Sequence, residues 1–220
     1  MSDNGFTGDL RDANASTWEA AVTHRFVEEL GAGTVPDVVM GRYLVQDHRF
    51  LDAFVGLLGA AVTTADTLVA RLAFGRYLGV VCGGENDYFL RAFDALGISE
   101  DVRSATPDAP PTSGFIALMQ EAADSRDYAS ALTVLLVAEW LYLDWAVRCP
   151  SRRPSSFVHA EWIEIHDEPS LGPIVSLLRA ELDRVGLESP NVTTLFTRAV
   201  DLELAFFEAA YEGAEDGTVR

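Results

Sequence analysis

Apolar residues recur along this chain at intervals of three and four, the period of one helix face, and no stretch alternates well enough to read as a strand. The first pattern opens at Ser16-Thr17-Trp18-Glu19, which has the form of a capping box, and is expected to run to Leu30 and stop at Gly31. A second begins at Thr34 and Pro36 and carries Val39, Tyr43, Leu44, Phe50, Leu51, Phe54 and Leu58. A third spans about 65 to 96, with a disturbance expected at Gly83-Gly84 and a stop at Gly97 and Ser99. Residues 104–113 read as the clearest loop. Helical patterns resume at about 114–123 and 128–147, then follow a Pro- and Arg-containing turn at 149–154 with shorter helices at 155–165 and 170–185. Ser189-Pro190 supplies a cap and a first-turn proline for a last helix reaching about Tyr211. The spacing therefore predicts an all-α, single-domain helical bundle over 14–212, with a flexible acidic tail at 1–13 and a second flexible tail at 213–220.

Against this pattern, four acids stand out. Side chains three and four residues away are neighbours on a helix face. By that rule Asp47 sits among Tyr43, Leu44, Phe50 and Leu51, and Glu85 among Val81, Cys82, Tyr88 and Phe89. Glu139 sits among Leu135, Leu136, Tyr142 and Leu143, and Glu203 among Ala199, Val200, Phe206 and Phe207. Each is centred in a core-facing stripe, and the four lie in four separate patterns. A buried, ionised carboxylate without a partner is costly, so it protonates or finds a donor. Two arrangements satisfy them: the acids face one another and share protons, or they face a cavity holding a donor-rich ligand. An aminopyrimidine fits the second, because its exocyclic amine and a protonated ring nitrogen match a carboxylate at two points. Tyr43, Phe50, Phe115, Trp140, Tyr142 and Phe206 offer flat surface on which such a ring stacks. Taken singly, each such acid is more often an ordinary helix-face carboxylate bonded to a buried tyrosine or a backbone group; four together on separate helices shift the balance towards a shared site.

Composition narrows the partners. The 220 residues carry 34 acids against 16 basic residues, a net charge of −18, and every basic residue is Arg. A field of that sign repels nucleic acid and anionic lipid, so neither a nucleic-acid nor a membrane partner is expected. A Lys-free acidic surface suits a high-salt cytoplasm, and a GC-biased genome accounts for missing Lys equally well. The polar N-terminus has no apolar signal core, no 18-residue uncharged apolar run occurs, and two cysteines, Cys82 and Cys149, make no disulfide framework, so a cytoplasmic protein is expected. The four histidines His24, His48, His159 and His166 form no Glu-x-x-His pair with the stripe acids, so no metal and no cofactor are expected; a di-iron oxidase is the weaker alternative.

The set Gln46-Asp47-x-x-Phe50, Glu85-x-x-Tyr88-Phe89, Glu139-x-x-Tyr142 and Glu203-x-x-Phe206-Phe207-x-x-x-Tyr211, with His159-Ala160-Glu161-Trp162 and His166 between, resembles the TenA/thiaminase II family in order and spacing over roughly 16–212. The resemblance implies a haem-oxygenase-like fold and a homodimer or homotetramer. It implies further that Asp47 holds an aminopyrimidine ring, Glu203 donates and accepts protons, Tyr142 and Phe50 line the pocket, and His166 lies at its mouth. Phe115 falls where many relatives have a pocket tyrosine, and Glu85 matches a recurrent glutamate. Ala138 stands where thiaminase II proper has its nucleophilic cysteine, and the Ala-Glu-x-x-Tyr segment is similar to the cysteine-less TenA_E branch, associated with hydrolysis of aminomethyl- and formylaminomethyl-pyrimidines during thiamin salvage. Without a thiolate, water is the expected nucleophile, with Glu139 as base and Glu203 as acid, or the reverse. A pyrimidine-binding protein that has lost the chemistry is the alternative from another class.

Overall fold

The computed structural model describes residues 5–212, and among them every regular element is helical. In chain order the helices are α1 (Gly5–Ala13), α2 (Ala15–Val22), α3 (Arg25–Ala32), α4 (Asp37–Thr64), α5 (Leu68–Val80), α6 (Asn86–Ala95), α7 (Glu100–Ala105), α8 (Pro110–Asp124), α9 (Tyr128–Arg148), α10 (Phe157–His166), α11 (Glu168–Val185) and α12 (Val192–Ala209). A π-turn at Val81–Glu85 joins α5 to α6, and a 3-10 turn at Gly186–Glu188 follows α11. The all-α bundle expected from the spacing is what forms.

Helix α9 is the axis. Its apolar residues leave no polar face, so it packs on every side, against α2, α4, α8, α10, α11 and α12. It is long and apolar enough to cross a bilayer by length alone, yet 78% of its most apolar window is buried inside the bundle, the signature of a core helix. Asp127 caps it, accepting from the Ser130 amide at 3.1 Å and the Ser130 hydroxyl at 2.6 Å. Ser189 donates to the same carboxylate at 2.8 Å, and so does not cap the last helix as its Ser-Pro sequence predicts; α12 starts at Val192 instead.

Several expected boundaries move, each for a local reason. Residues 5–13, expected within a flexible tail, form α1: the Thr7 amide donates to Asp183 Oδ1 at 2.7 Å, Arg11 pairs with Asp144 at 2.7 Å, and Leu10 is buried. Tertiary hydrogen bonds supply what the polar composition of that segment withholds. The tail expected at 213–220 lies outside the described residues. The helix expected over 16–30 breaks at His24, whose backbone is extended and whose Nδ1 accepts from the Phe26 amide at 3.1 Å, capping α3. The Ser16 capping box is unused, since α2 starts at Ala15 with no side-chain cap. Gly31 lies inside α3, and the stop falls at Gly33, whose φ of +72° is the left-handed conformation glycine adopts freely. Helix α4 continues past Leu58 to Thr64. The loop expected at 104–113 shrinks to residues 106–109, because Pro110 and Pro111 occupy the first turn of α8, where no amide is needed. Gln46 holds that short loop, donating to the Pro107 carbonyl at 3.0 Å and accepting from the Ala109 amide at 2.8 Å.

Candidate active site

Six helices and the π-turn bring one polar cluster together inside an otherwise apolar interior. Helix α4 contributes Asp47, Phe50, Leu51 and Phe54, which lie along one face at helical spacing. Helix α9 contributes Ala138, Glu139 and Tyr142, and α12 contributes Glu203. Tyr77 and Val80 come from α5, Val81, Gly84 and Glu85 from the π-turn, and Ile165, His166, Ser170 and Leu171 from the α10–α11 junction. Together they line a cavity of about 250 Å³, room for one substituted heteroaromatic ring. Val80, Gly84 and Ser170 are solvent-exposed and form its rim, while Asp47, Glu139 and Glu203 are buried at its depth.

The four stripe acids therefore do share one space, and among the described residues no Arg lines it. Burial raises all four carboxyls. Glu85, only half-buried at the rim, is pushed up to about 7, and Glu139 to about 8, with the Glu85 charge adding to its rise and a Tyr77 hydrogen bond opposing it. Asp47 is held well above the usual carboxylate range by burial and by Glu85, against a hydrogen bond from Tyr142. Burial lifts Glu203 likewise, with Asp47 and Glu139 adding like-charge repulsion. His166 is no counter-ion: burial lowers it to about 4, so it is neutral. Its Nδ1 lies 2.7 Å from the Trp162 carbonyl, which can only accept, so Nδ1 carries the proton and Nε2 is the ring's acceptor.

Hydroxyls are fixed on two sides of the cavity. The Tyr142 hydroxyl lies 2.7 Å from that of Tyr43, extending the Asp47 hydrogen bond into the core. Opposite, Tyr77 donates to Glu139 Oε1 at 2.6 Å. Phe50 is the flat wall, backed by Phe115 at 5.7 Å and by the edge of Phe206 at 5.4 Å.

Of the residues singled out from the sequence, Asp47, Phe50, Glu85, Glu139, Tyr142, His166 and Glu203 line the cavity. Tyr43, Phe115 and Phe206 do not; they stand one layer behind, because helical spacing reports which face is buried and not which side chain is first in line. Trp140 points elsewhere, packing on Trp18 at 5.2 Å beneath the Arg11 and Arg179 guanidiniums. His48, next to Asp47 in the chain, does not line the cavity and pairs with Asn86 at 3.3 Å. Cys82 is exposed although it stands three residues before Glu85, since five residues in a π-turn rotate the chain less than five in an α-helix. Tyr77 was missed. It lies eight residues before Glu85, at helical spacing through Val81, and that periodicity was the available signal. Neither cysteine lines the cavity.

A bundle that encloses a cation-free, acid-lined and aromatic-walled chamber is built to bind a small, flat molecule rich in hydrogen-bond donors. The sequence profile of the TENA/THI-4/PQQC family matches residues 11–213, and the chain belongs to that family. It is 23% identical over 214 residues to the aminopyrimidine aminohydrolase of Halalkalibacterium halodurans, an alignment covering 94% of this chain and 95% of that one. The TenA homologue protein from P. horikoshii OT3 superposes with a TM-score of 0.84 at 22% identity, covering 95% of this chain and 99% of that chain. A Shewanella denitrificans domain of unknown function with a haem-oxygenase-like fold superposes at 0.70 and 13% identity, covering 95% and 93%. The fold is thus haem-oxygenase-like and of the TenA type, as the motif order implied.

Proposed function

We propose that this protein is an aminopyrimidine aminohydrolase that converts aminomethyl- or formylaminomethyl-pyrimidines, breakdown products of thiamin, to the hydroxymethyl aminopyrimidine. The observation that carries this reading is the convergence of Asp47, Glu139 and Glu203 from three helices on one cation-free cavity beside Phe50 and Tyr142. The H. halodurans relative, matched along almost its whole length, is named an aminopyrimidine aminohydrolase.

Asp47 holds the ring. Burial and the neighbouring Glu85 charge raise its carboxyl and so favour the protonated form, and an aminopyrimidine nitrogen is a ready acceptor. Proton transfer on binding leaves a carboxylate facing a protonated ring nitrogen and the exocyclic amine, a charge-assisted two-point contact. The protonated ring draws electrons from the adjacent methylene. Glu139 takes a proton from water, the water oxygen bonds to the methylene carbon, and the carbon–nitrogen bond breaks. Glu203, whose carboxyl is raised by burial and by the neighbouring Asp47 and Glu139 charges, passes its proton to the departing amine, which leaves as ammonia. For a formylamino substrate the same pair serves attack on the formyl carbon. Phe50 stacks on the ring, Glu85 and His166 border the substituent's path, and Tyr43, Phe115 and Phe206 support the wall from behind.

Ammonia or formate release from the corresponding pyrimidines, measured beside calorimetric binding of the hydroxymethyl product, tests the reading. Release with saturation is expected; binding without release makes the protein a pyrimidine carrier, the reading that the absence of a cavity thiol favours.

The acting form is proposed to be a cytoplasmic homodimer or homotetramer. Between Asp52 and Glu85 the only acid is Asp66, in a chain of net charge −18, and Leu68, Val69, Leu72 and Val80 are exposed along α5. Two strongly acidic copies repel everywhere except across such a face.

A further inference from the structure

We propose that Tyr77 is the positioning residue of the reaction, resting on the reading above: it ties down one oxygen of Glu139 so that the other is presented to the attacking water. Three features of the cavity lead there. Tyr77 donates to Glu139 Oε1 at 2.6 Å across the α5–α9 boundary, and both residues line the cavity. Among the described residues Oε2 takes no hydrogen bond from the protein, and it is not sealed in the core, so it opens on the cavity. While Glu139 is ionised the Tyr77 hydroxyl is the donor, because burial and the neighbouring Glu139 and Glu85 hold its pKa well above the ordinary phenol value and keep its proton in place.

A general base must hold one lone pair on the water for the whole approach, and a carboxyl free to rotate about its last torsion does not. Fixing Oε1 removes that freedom. The same bond stabilises the ionised form, the form that accepts the water's proton, against three other acids. The titratable groups facing Glu139 are Asp47 on α4, Glu85 from the π-turn, Glu203 on α12, Tyr142 on its own helix and the neutral His166 on α10. None of these supplies a positive charge, so the Tyr77 hydroxyl is the group that favours ionisation of Glu139. During turnover Oε2 receives the water's proton as the carbon–oxygen bond forms, while Tyr77 keeps its own.

Replacing Tyr77 by Phe keeps the ring that packs against the core and deletes the hydroxyl. With carboxyl-13C-labelled glutamate, the Glu139 resonance is identified by its loss in Glu139→Gln, and its titration is followed in the free protein. The midpoint in Tyr77→Phe is expected about one pH unit higher than in the wild type. In turnover, the acid limb of kcat is expected to move up by the same interval, with kcat about tenfold lower near neutrality and KM changed less than about twofold. Incorporating 3-fluorotyrosine, a stronger donor of nearly unchanged shape, moves the Glu139 midpoint down and covers the case in which Tyr77→Phe fails to fold. An unmoved Glu139 midpoint in either protein overturns the proposal, as does a Tyr77→Phe enzyme with wild-type kcat and acid limb. If the wild type turns nothing over while the midpoint moves as described, the hydrolase reading fails and the hold of Tyr77 on Glu139 stands.

Discussion

Two acids five residues apart on α9 have opposite fates. Asp144 lies under the N-terminal helices, where Arg11 reaches it at 2.7 Å, the Trp18 indole donates at 2.8 Å and Arg148 closes from the next turn at 3.1 Å. Although burial alone raises its pKa, these partners together hold Asp144 below the usual carboxylate value. Glu139, a turn and a half away on another face of the helix, meets a single tyrosine hydroxyl, and its pKa rises to about 8. Burial alone therefore does not separate a structural acid from a functional one. The difference is whether the fold has completed the carboxyl's hydrogen bonds and charge, or has left that to a guest. At Asp144 the arginines finish the work; at Glu139, Asp47 and Glu203 no lining side chain among the described residues brings a positive charge, and on the proposed function a bound molecule does.

The largest expected effect falls on the unfinished side. Glu139→Gln is expected to cut turnover by about 10²–10⁴-fold while leaving calorimetric binding of the hydroxymethyl pyrimidine near the wild-type value. Asp47→Asn is expected to weaken that binding by roughly ten- to a hundredfold, since an amide cannot give its proton to the ring and meets it with a donor where an acceptor is needed.

Stability against pH sharpens the comparison further. The cavity acids are raised in the folded state, so above the ordinary carboxyl range the unfolded chain binds fewer protons than the native one. Their contribution is therefore intact at low pH and is lost as pH rises from about 4.5 towards the values of about 7 and 8 at Glu85 and Glu139. Asp144 runs the other way: its stabilisation is present above the unfolded carboxylate value and is lost as pH falls through its lowered one. Glu203→Gln, which removes an ionisable group from the cavity, is expected to raise Tm at pH 8 relative to the wild type and to leave it nearly unchanged at pH 5, with about 2–4 °C for each kcal/mol relieved. A differential scan at both pH values checks this, and equal shifts at the two count against a cavity effect. The smallest effect is at the finished acid. Arg11→Met is expected to cost under about 1 kcal/mol, because Arg148 and Trp18 remain on Asp144, and to leave turnover intact.

Much of this was legible in the chain. Three- and four-residue spacing gave the helices and their class, because the buried face of an amphipathic helix is written at that period. The same period exposed Asp47, Glu85, Glu139 and Glu203, since an acid inside an apolar stripe violates the pattern wherever its helix is placed. Helix ends were less readable. Ser16 and Ser189 had the chemistry of caps, yet the structure uses Ser189 on Asp127 and leaves Ser16 in mid-turn, because a hydroxyl bonds whatever tertiary partner arrives first. Helix α1 was invisible for a related reason: its stabilisation comes from Asp183 and Asp144, more than a hundred residues away in sequence.

The sequence by itself determined that the protein is a helical bundle with four acids turned inward, because periodicity and residue type are local properties that survive any arrangement of the helices. Only the tertiary structure decided that those acids meet in one chamber, that Phe50 faces it while Phe115 and Phe206 stand behind, and that Tyr77 reaches Glu139. Layer, distance and the identity of a neighbour across a helix boundary depend on how cylinders are packed, and packing is settled by the whole core at once rather than by any segment of it.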